Sequence, residues 1–342
     1  MKKSLNANEL YYRRVTTAVG VAMLVFLLLV NGMAVMMELI AFLLPYLSFS
    51  REGGTAVYQV LYATGYLLSF MLPAAVLKSR IKHYGYLYHP MKTDIRLSPH
   101  LFSIVVGGIV LIWTQAYINA GLVSIFDYSS FSSSVLWGET DSHTALDVVI
   151  QFLVGAMVPA FCEEFLFRGA ILENCLPFGR GRAILISALL FGVMHQNAEQ
   201  ILYAFAAGVL LGIVYERTGS VWNCTFLHLV NNFLSFAMML MADKLGGRAP
   251  GAMNAALEAG LCMVGFVCIA FLVVVFSERK QHFAEGVFGR SVPASDAYAS
   301  CPVSPQRAFK LFLSFPNVLF FVFSGLQILV LIGSAILYNY AS

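Results

Sequence analysis

Long apolar runs separated by short polar breaks dominate the chain. Nine stand out, at about 16–46, 55–77, 99–125, 145–174, 182–198, 199–216, 220–242, 251–277 and 311–339. About 20 apolar residues cross the hydrocarbon core of a bilayer as one helix. The pattern therefore predicts an all-α, polytopic transmembrane helix bundle of about eight to nine spans. The first and fourth runs exceed a single crossing, so each is expected to tilt, bend or lie partly in the interface. The fifth and sixth are short and barely separated, which leaves their boundary soft. Membrane β-strands would be about ten residues long with alternating polarity, and nothing in the chain has that form. The opening "MKKSLNANELYYRR" starts like a signal peptide, but the apolar run behind it is far longer than an h-region and ends without an A-x-A site. It reads as a retained span.

Composition agrees with this pattern. Of 342 residues, 59% are hydrophobic and only 11% charged, against about 25% charged in soluble domains; the mean hydropathy is +0.77. A formal charge of +3 gives no reason to expect a nucleic-acid partner. The expected partners are membrane lipids and a peptide or protein substrate, and the oligomeric state is left open. The distribution of the charges is more informative. With nine spans and the N-terminus inside, 18 of the 21 Lys and Arg residues fall in inner segments, and only Arg51, Lys244 and Arg248 fall outside. That asymmetry predicts a cytoplasmic N-terminus. Six cysteines (Cys162, Cys175, Cys224, Cys262, Cys268 and Cys301) form no CxxC pair and read as small apolar fillers. They imply neither a disulfide framework nor a metal site. The polar stretch at about 278–308 reads as a flexible cytoplasmic loop, and no internal repeat of the kind that marks many transporters is visible.

Against this apolar background, ionisable groups within the spans stand out, because each costs about 2.5–3.5 kcal/mol at mid-membrane unless it faces a cavity or a partner. The fourth run carries Glu163, Glu164 and Arg168, the fifth His195, and the seventh His228, Asn231 and Asn232. At about 1.5 Å of rise per residue, Glu163 lies about 18 Å from the inner end of its helix, His195 about 19–20 Å, and His228 and Asn232 about 12 and 18 Å. Three helices thus bring polar groups to similar depth. Glu164 and Arg168 share a face at i,i+4 and read as a structural ion pair. Glu163, about 100° further round, is left free to face the histidines. His228 and Asn232 also share a face. Singly, each feature has a plain structural reading: a satisfied core histidine, or interhelical hydrogen bonding. Glu38 and Glu258 read as structural or pore-facing, and the small-residue pair Gly208 and Gly212 as helix packing.

Taken together, a glutamate and a histidine can activate a water for attack on a carbonyl. A second histidine and an amide can then hold the developing oxyanion. Serine chemistry lacks a G-x-S-x-G elbow. Zinc stays open, since Glu with two His is a ligand set, but no H-E-x-x-H helix is present.

"EEFLFR" (163–168), "FGVMH" (191–195) and "HLVNN" (228–232) follow the patterns E-E-x-x-x-R, F-x-x-x-H and H-x-x-x-N, in order and on successive apolar helices. In this the chain resembles the CPBP family, also called Abi, which includes type II CAAX prenyl endopeptidases and bacteriocin-processing and immunity proteins. The resemblance covers about 146–242. It implies a catalytic core there, with N-terminal helices at 1–145 and C-terminal helices at 243–342. It also implies an intramembrane endopeptidase of the glutamic type, in which Glu163 and His195 activate water and His228 and Asn232 hold the oxyanion. Glu164, Arg168 and Phe191 support the site. No cofactor is implied, although the metal-dependent mechanism stays in view. The expected substrate is a membrane-associated or lipid-anchored protein or peptide, and the expected location a bacterial plasma membrane with the site opening to the cytoplasm. The alternatives are a catalytically idle scaffold, a bacteriocin-immunity protein, or a proton-coupled transporter.

Overall fold

The computed structural model describes residues 5–43, 46, 51–93, 101–124, 145–244, 263–270, 273–274 and 301–341. The described chain is helical almost throughout: α1 Ala7–Leu43, α2 Arg51–His83, α3 Leu101–Ser124, α4 at 145–178, α5 Arg180–Met194, α6 Ala198–Thr218, α7 Val221–Lys244, a short α8 at 263–270, α9 Pro305–Phe312 and α10 Phe315–Ala341. Among the described residues, five stretches are long and apolar enough to cross a membrane: Ala7–Leu43, Val57–His83, Val148–Phe178, Gln200–Thr218 and Phe315–Ser334. This is an all-α, multi-pass membrane protein. Glu258, most of the eighth apolar run and residues 278–300 of the expected loop lie outside the described residues.

Local signals explain the helix ends. A reciprocal capping box starts α1: Glu9 N–H donates to Asn6 Oδ1 at 2.8 Å, and Asn6 N–H donates to Glu9 Oε2 at 3.1 Å. α2 runs past the expected 77 to His83, ending on Arg80, Lys82 and His83, cations that suit the negative end of the helix dipole. Gly85, at φ 76°, turns the chain out of it, with the Tyr86 N–H reaching back to Ile81 O at 3.2 Å. Two corrections concern the C-terminal part. Residues 305–308 of the expected loop are the first turn of α9, whose start is set by Pro305 behind the extended Ser304. The ninth apolar run is also broken, at 313–314, into α9 and α10.

α4 sits at the centre. It packs against α2, α5, α6 and α7, while α5 pairs with α6, and α3 covers α6 and α7. α1 joins α2 on one side and α9 and α10 on the other. The crossing of α5 and α6 is as close as its small residues allow. A Cβ on Gly208 would lie 2.9 Å from Ala188 Cα, and one on Gly212 3.0 Å from Ile184 Cγ2, so the small-xxx-small face does serve packing. The five described cysteines are buried free thiols.

Candidate active site

α4 is not a uniform α-helix. Two π-helical stretches, Leu153–Met157 and Phe165–Leu172, flank the seven-residue α-helical piece Val158–Glu164. Their widened turns show in bonds five residues long, from Val158 N–H to Leu153 O and from Glu173 N–H to Arg168 O. Pro159 accounts for the first, since its ring would clash with the carbonyl four residues back and it offers no N–H. The second widens the helix around Arg168 and Gly169, where a Cβ on Gly169 would lie 2.8 Å from Met91 Sδ. Such π turns occur often at functional sites. Here they frame the two glutamates.

The glutamates have opposite surroundings. Glu164 is fully buried, and its Oε1 accepts from the Arg168 guanidinium at 2.9 Å and from His228 Nδ1 at 2.9 Å. Arg168, also fully buried, donates in addition to Gly208 O at 3.3 Å and lies over the Phe191 ring, 4.5 Å from its centroid. Glu163, only 5% exposed, makes no such pair. Its Oε1 accepts from the Tyr66 hydroxyl at 2.5 Å, while Oε2 is buried, has no hydrogen-bond partner, and lies 3.8 Å from His228 Nε2. His228 thus has a carboxylate oxygen on each side. Because Glu164 accepts, Nδ1 carries the proton, and the ring presents a donor at Nε2 as well only when it holds both protons.

His195 is not inside a helix, as the sequence suggests, but at the C-cap of α5. Gln196, at φ 53°, ends the helix in the left-handed region, an uncommon conformation for a residue other than glycine. His195 Nδ1 donates to Phe191 O at 2.8 Å, which leaves Nε2 as the acceptor of a neutral ring. Phe191 is the hub: its ring meets Phe167 at 5.2 Å, His195 at 5.1 Å and His228 at 6.0 Å, all edge to face. His195 stands within electrostatic reach of both Glu163 and His228.

The structure therefore brings Glu163, Glu164, Arg168, Phe191, His195 and His228 into one cluster. Asn232 stands one turn beyond His228 on α7. Its amide points at Ala156 O in the first π stretch at 3.4 Å, longer than an ordinary N–H···O bond, and its Oδ1 lies 3.4 Å from Asn231 Nδ2. Among the described residues, no three His, Cys, Asp or Glu side chains converge as a metal-binding group. Reading the motifs missed Tyr66 and Gln196. The signal for Tyr66 was the recurrence of Tyr58, Tyr62 and Tyr66 at i,i+4 on one face of α2.

The family model for "Type II CAAX prenyl endopeptidase Rce1-like" matches residues 145–234, the stretch that supplies every charged group of this cluster. Over these residues the chain is similar to that endopeptidase family, in agreement with the CPBP resemblance of its three motifs. The "Putative membrane peptidase YdiL" of Bacillus subtilis (strain 168) is 28% identical over 147 residues, 39% of this chain. The match covers 58% of that protein, so the chain spans less than two thirds of this relative. No solved structure matches the chain. Tyr66 stands outside the matched segment.

Proposed function

We propose that the protein is an intramembrane endopeptidase of the glutamic type, cutting a peptide bond in a membrane-associated or lipid-anchored substrate. One observation carries the reading: Glu163 has no Arg or Lys partner among the described residues and turns a buried, unpartnered Oε2 toward His228, while the neighbouring Glu164 is ion-paired to Arg168 through its Oε1. A structural carboxylate at this depth would be paired, as Glu164 is. In the proposed step, Glu163 Oε2, with His195 Nε2 beside it, takes a proton from a water whose oxygen bonds to the scissile carbonyl carbon. The carbonyl oxygen becomes the oxyanion, held by doubly protonated His228 and the Asn232 amide after a small rotation toward the substrate. The C–N bond then breaks, and the proton held by Glu163 passes to the leaving amine nitrogen. Arg168 and Glu164 hold His228 in register. Concentration of Lys and Arg at one end of the bundle, together with a bacterial relative, supports a plasma-membrane location with the site opening to the cytoplasm.

The test compares new peptide N-termini in membranes of cells expressing equal amounts of wild type and Glu163→Gln. Wild-type-specific N-termini are expected to disappear in the variant. Identical sets from two equally folded proteins would overturn the peptidase reading. Repeating the wild-type reaction with a chelator separates the metal-free mechanism from a metal-dependent one.

A further inference from the structure

The Tyr66–Glu163 bond joins the matched segment to the first two helices of the chain. At 2.5 Å it has the length of a charge-assisted O–H···O⁻ bond. It occupies Oε1 and fixes the carboxylate plane, so that Oε2 is the oxygen left to accept a proton. The phenol itself is held from behind. Its ring stacks on Tyr62 at 5.9 Å and on Phe70 at 4.9 Å, and Phe70 meets Phe26 of α1 edge to face at 5.1 Å. Gly65 brings α1 close beside it, since a Cβ there would lie 2.7 Å from Met33 Sδ.

We propose that Tyr66 is a positioning residue for the catalytic carboxylate, and hence that the hairpin of α1 and α2 is part of the active site. The proposal rests on the peptidase reading above. A phenol kept only for packing would be replaced by phenylalanine without consequence, because the ring stack survives the change. A positioning hydroxyl would not. A hydrogen bond to a charged group corresponds to about a ten- to hundredfold effect on rate.

The experiment uses the full chain in lipid nanodiscs, with a substrate found by the N-terminus comparison. Tyr66→Phe is expected to lower kcat about ten- to hundredfold with KM within about twofold. The double variant Tyr66→Phe/Glu163→Gln should be no worse than Glu163→Gln alone. A second readout needs no substrate. In infrared difference spectra with isotope-labelled tyrosine, the Tyr66 C–O stretch, identified by its loss in Tyr66→Phe, should shift in Glu163→Gln. Wild-type kcat in Tyr66→Phe, or a tyrosine band unmoved in Glu163→Gln, overturns the proposal. Cleavage that persists in Glu163→Gln instead sinks the peptidase reading, and the infrared result still decides whether the bond exists.

Discussion

Glu163 and Glu164 are chemically identical and adjacent, yet disturbing the charge at each has opposite consequences for folding, which follow from the groups around them. Removing Arg168 leaves a fully buried carboxylate whose remaining polar contact is His228. Breaking a buried pair from one side costs about 3–5 kcal/mol. Arg168→Ala should therefore fail in folding, read as loss of monodisperse protein after a mild heat step. Arg168→Lys keeps the charge but not the planar fork or the stacking on Phe191, and should fall between. Glu163→Gln should survive the same heat step, because the amide oxygen still accepts from Tyr66. If Arg168→Ala and Glu163→Gln proved equally harmless to folding, this division of labour would be wrong. At this scale the sequence is informative where charge is costly. Glu163, Glu164, Arg168, His195 and His228 are conspicuous because a membrane interior penalises them. Tyr66 is neutral and ordinary in an apolar helix, so beyond the tyrosine recurrence on its face of α2 only its distance from Glu163 assigns it a role.

At the scale of helices, the site depends on how closely α5 and α6 approach. Gly208 sits over the backbone of Ala188, and its own carbonyl accepts from Arg168. A methyl there cannot be accommodated by rotating a side chain, because the 2.9 Å contact is to Cα. Gly208→Ala should cost about 1–3 kcal/mol through overpacking. The added methyl should also push the carbonyl away from the guanidinium. Gly32→Ala is the control: a Cβ on Gly32 meets nothing within 4 Å, so the change should be neutral or slightly stabilising. Thermal aggregation curves of the two variants, measured side by side, check this. Helix positions and the small-residue face are legible in the sequence because apolar run length and residue size determine them directly. The π turns are less so. Pro159 hints at the first, but the second has no single residue that demands it. Likewise the end of α5 at Met194 depends on Gln196 adopting a conformation its type does not announce.

Across the whole molecule, a strap formed by residues 84–93 ties the site helices together at the basic end of the bundle. It leaves α2 through Gly85 and crosses α4 at Asn174, whose side chain accepts from His89 N–H at 2.9 Å and donates to His89 O at 2.9 Å and Ala170 O at 2.8 Å. It ends at the start of α7, where Trp222 Nε1 donates to Thr93 O at 3.1 Å. Nearby, Tyr215 of α6 donates to the fully buried Glu173 at 2.6 Å, and Lys92 Nζ lies 3.8 Å from the same carboxylate. The three helices the strap connects are those that carry Tyr66, Glu163 and His228. No periodicity marks "YGYLYHPMKT" as structural, because its order comes from residues far along the chain, Asn174 85 residues away and Trp222 129 residues away among them. Asn174→Ala removes all three of that residue's bonds and should release the strap, seen as faster amide exchange at 86–93 and faster tryptic cleavage after Lys92. Acid should act in the same direction. Burial, and then the Lys92 charge, lower the His89 pKa from its ordinary 6.5. The docked strap consequently binds fewer protons than the released one, so docking is strongest above pH 6.5 and weakens as pH falls through that value toward the docked-state pKa. Replacing His89 with Gln should remove the acid sensitivity while leaving the Asn174 bonds to the backbone intact. Strap exchange that showed the same pH profile in wild type and His89→Gln would show that another group governs the docking.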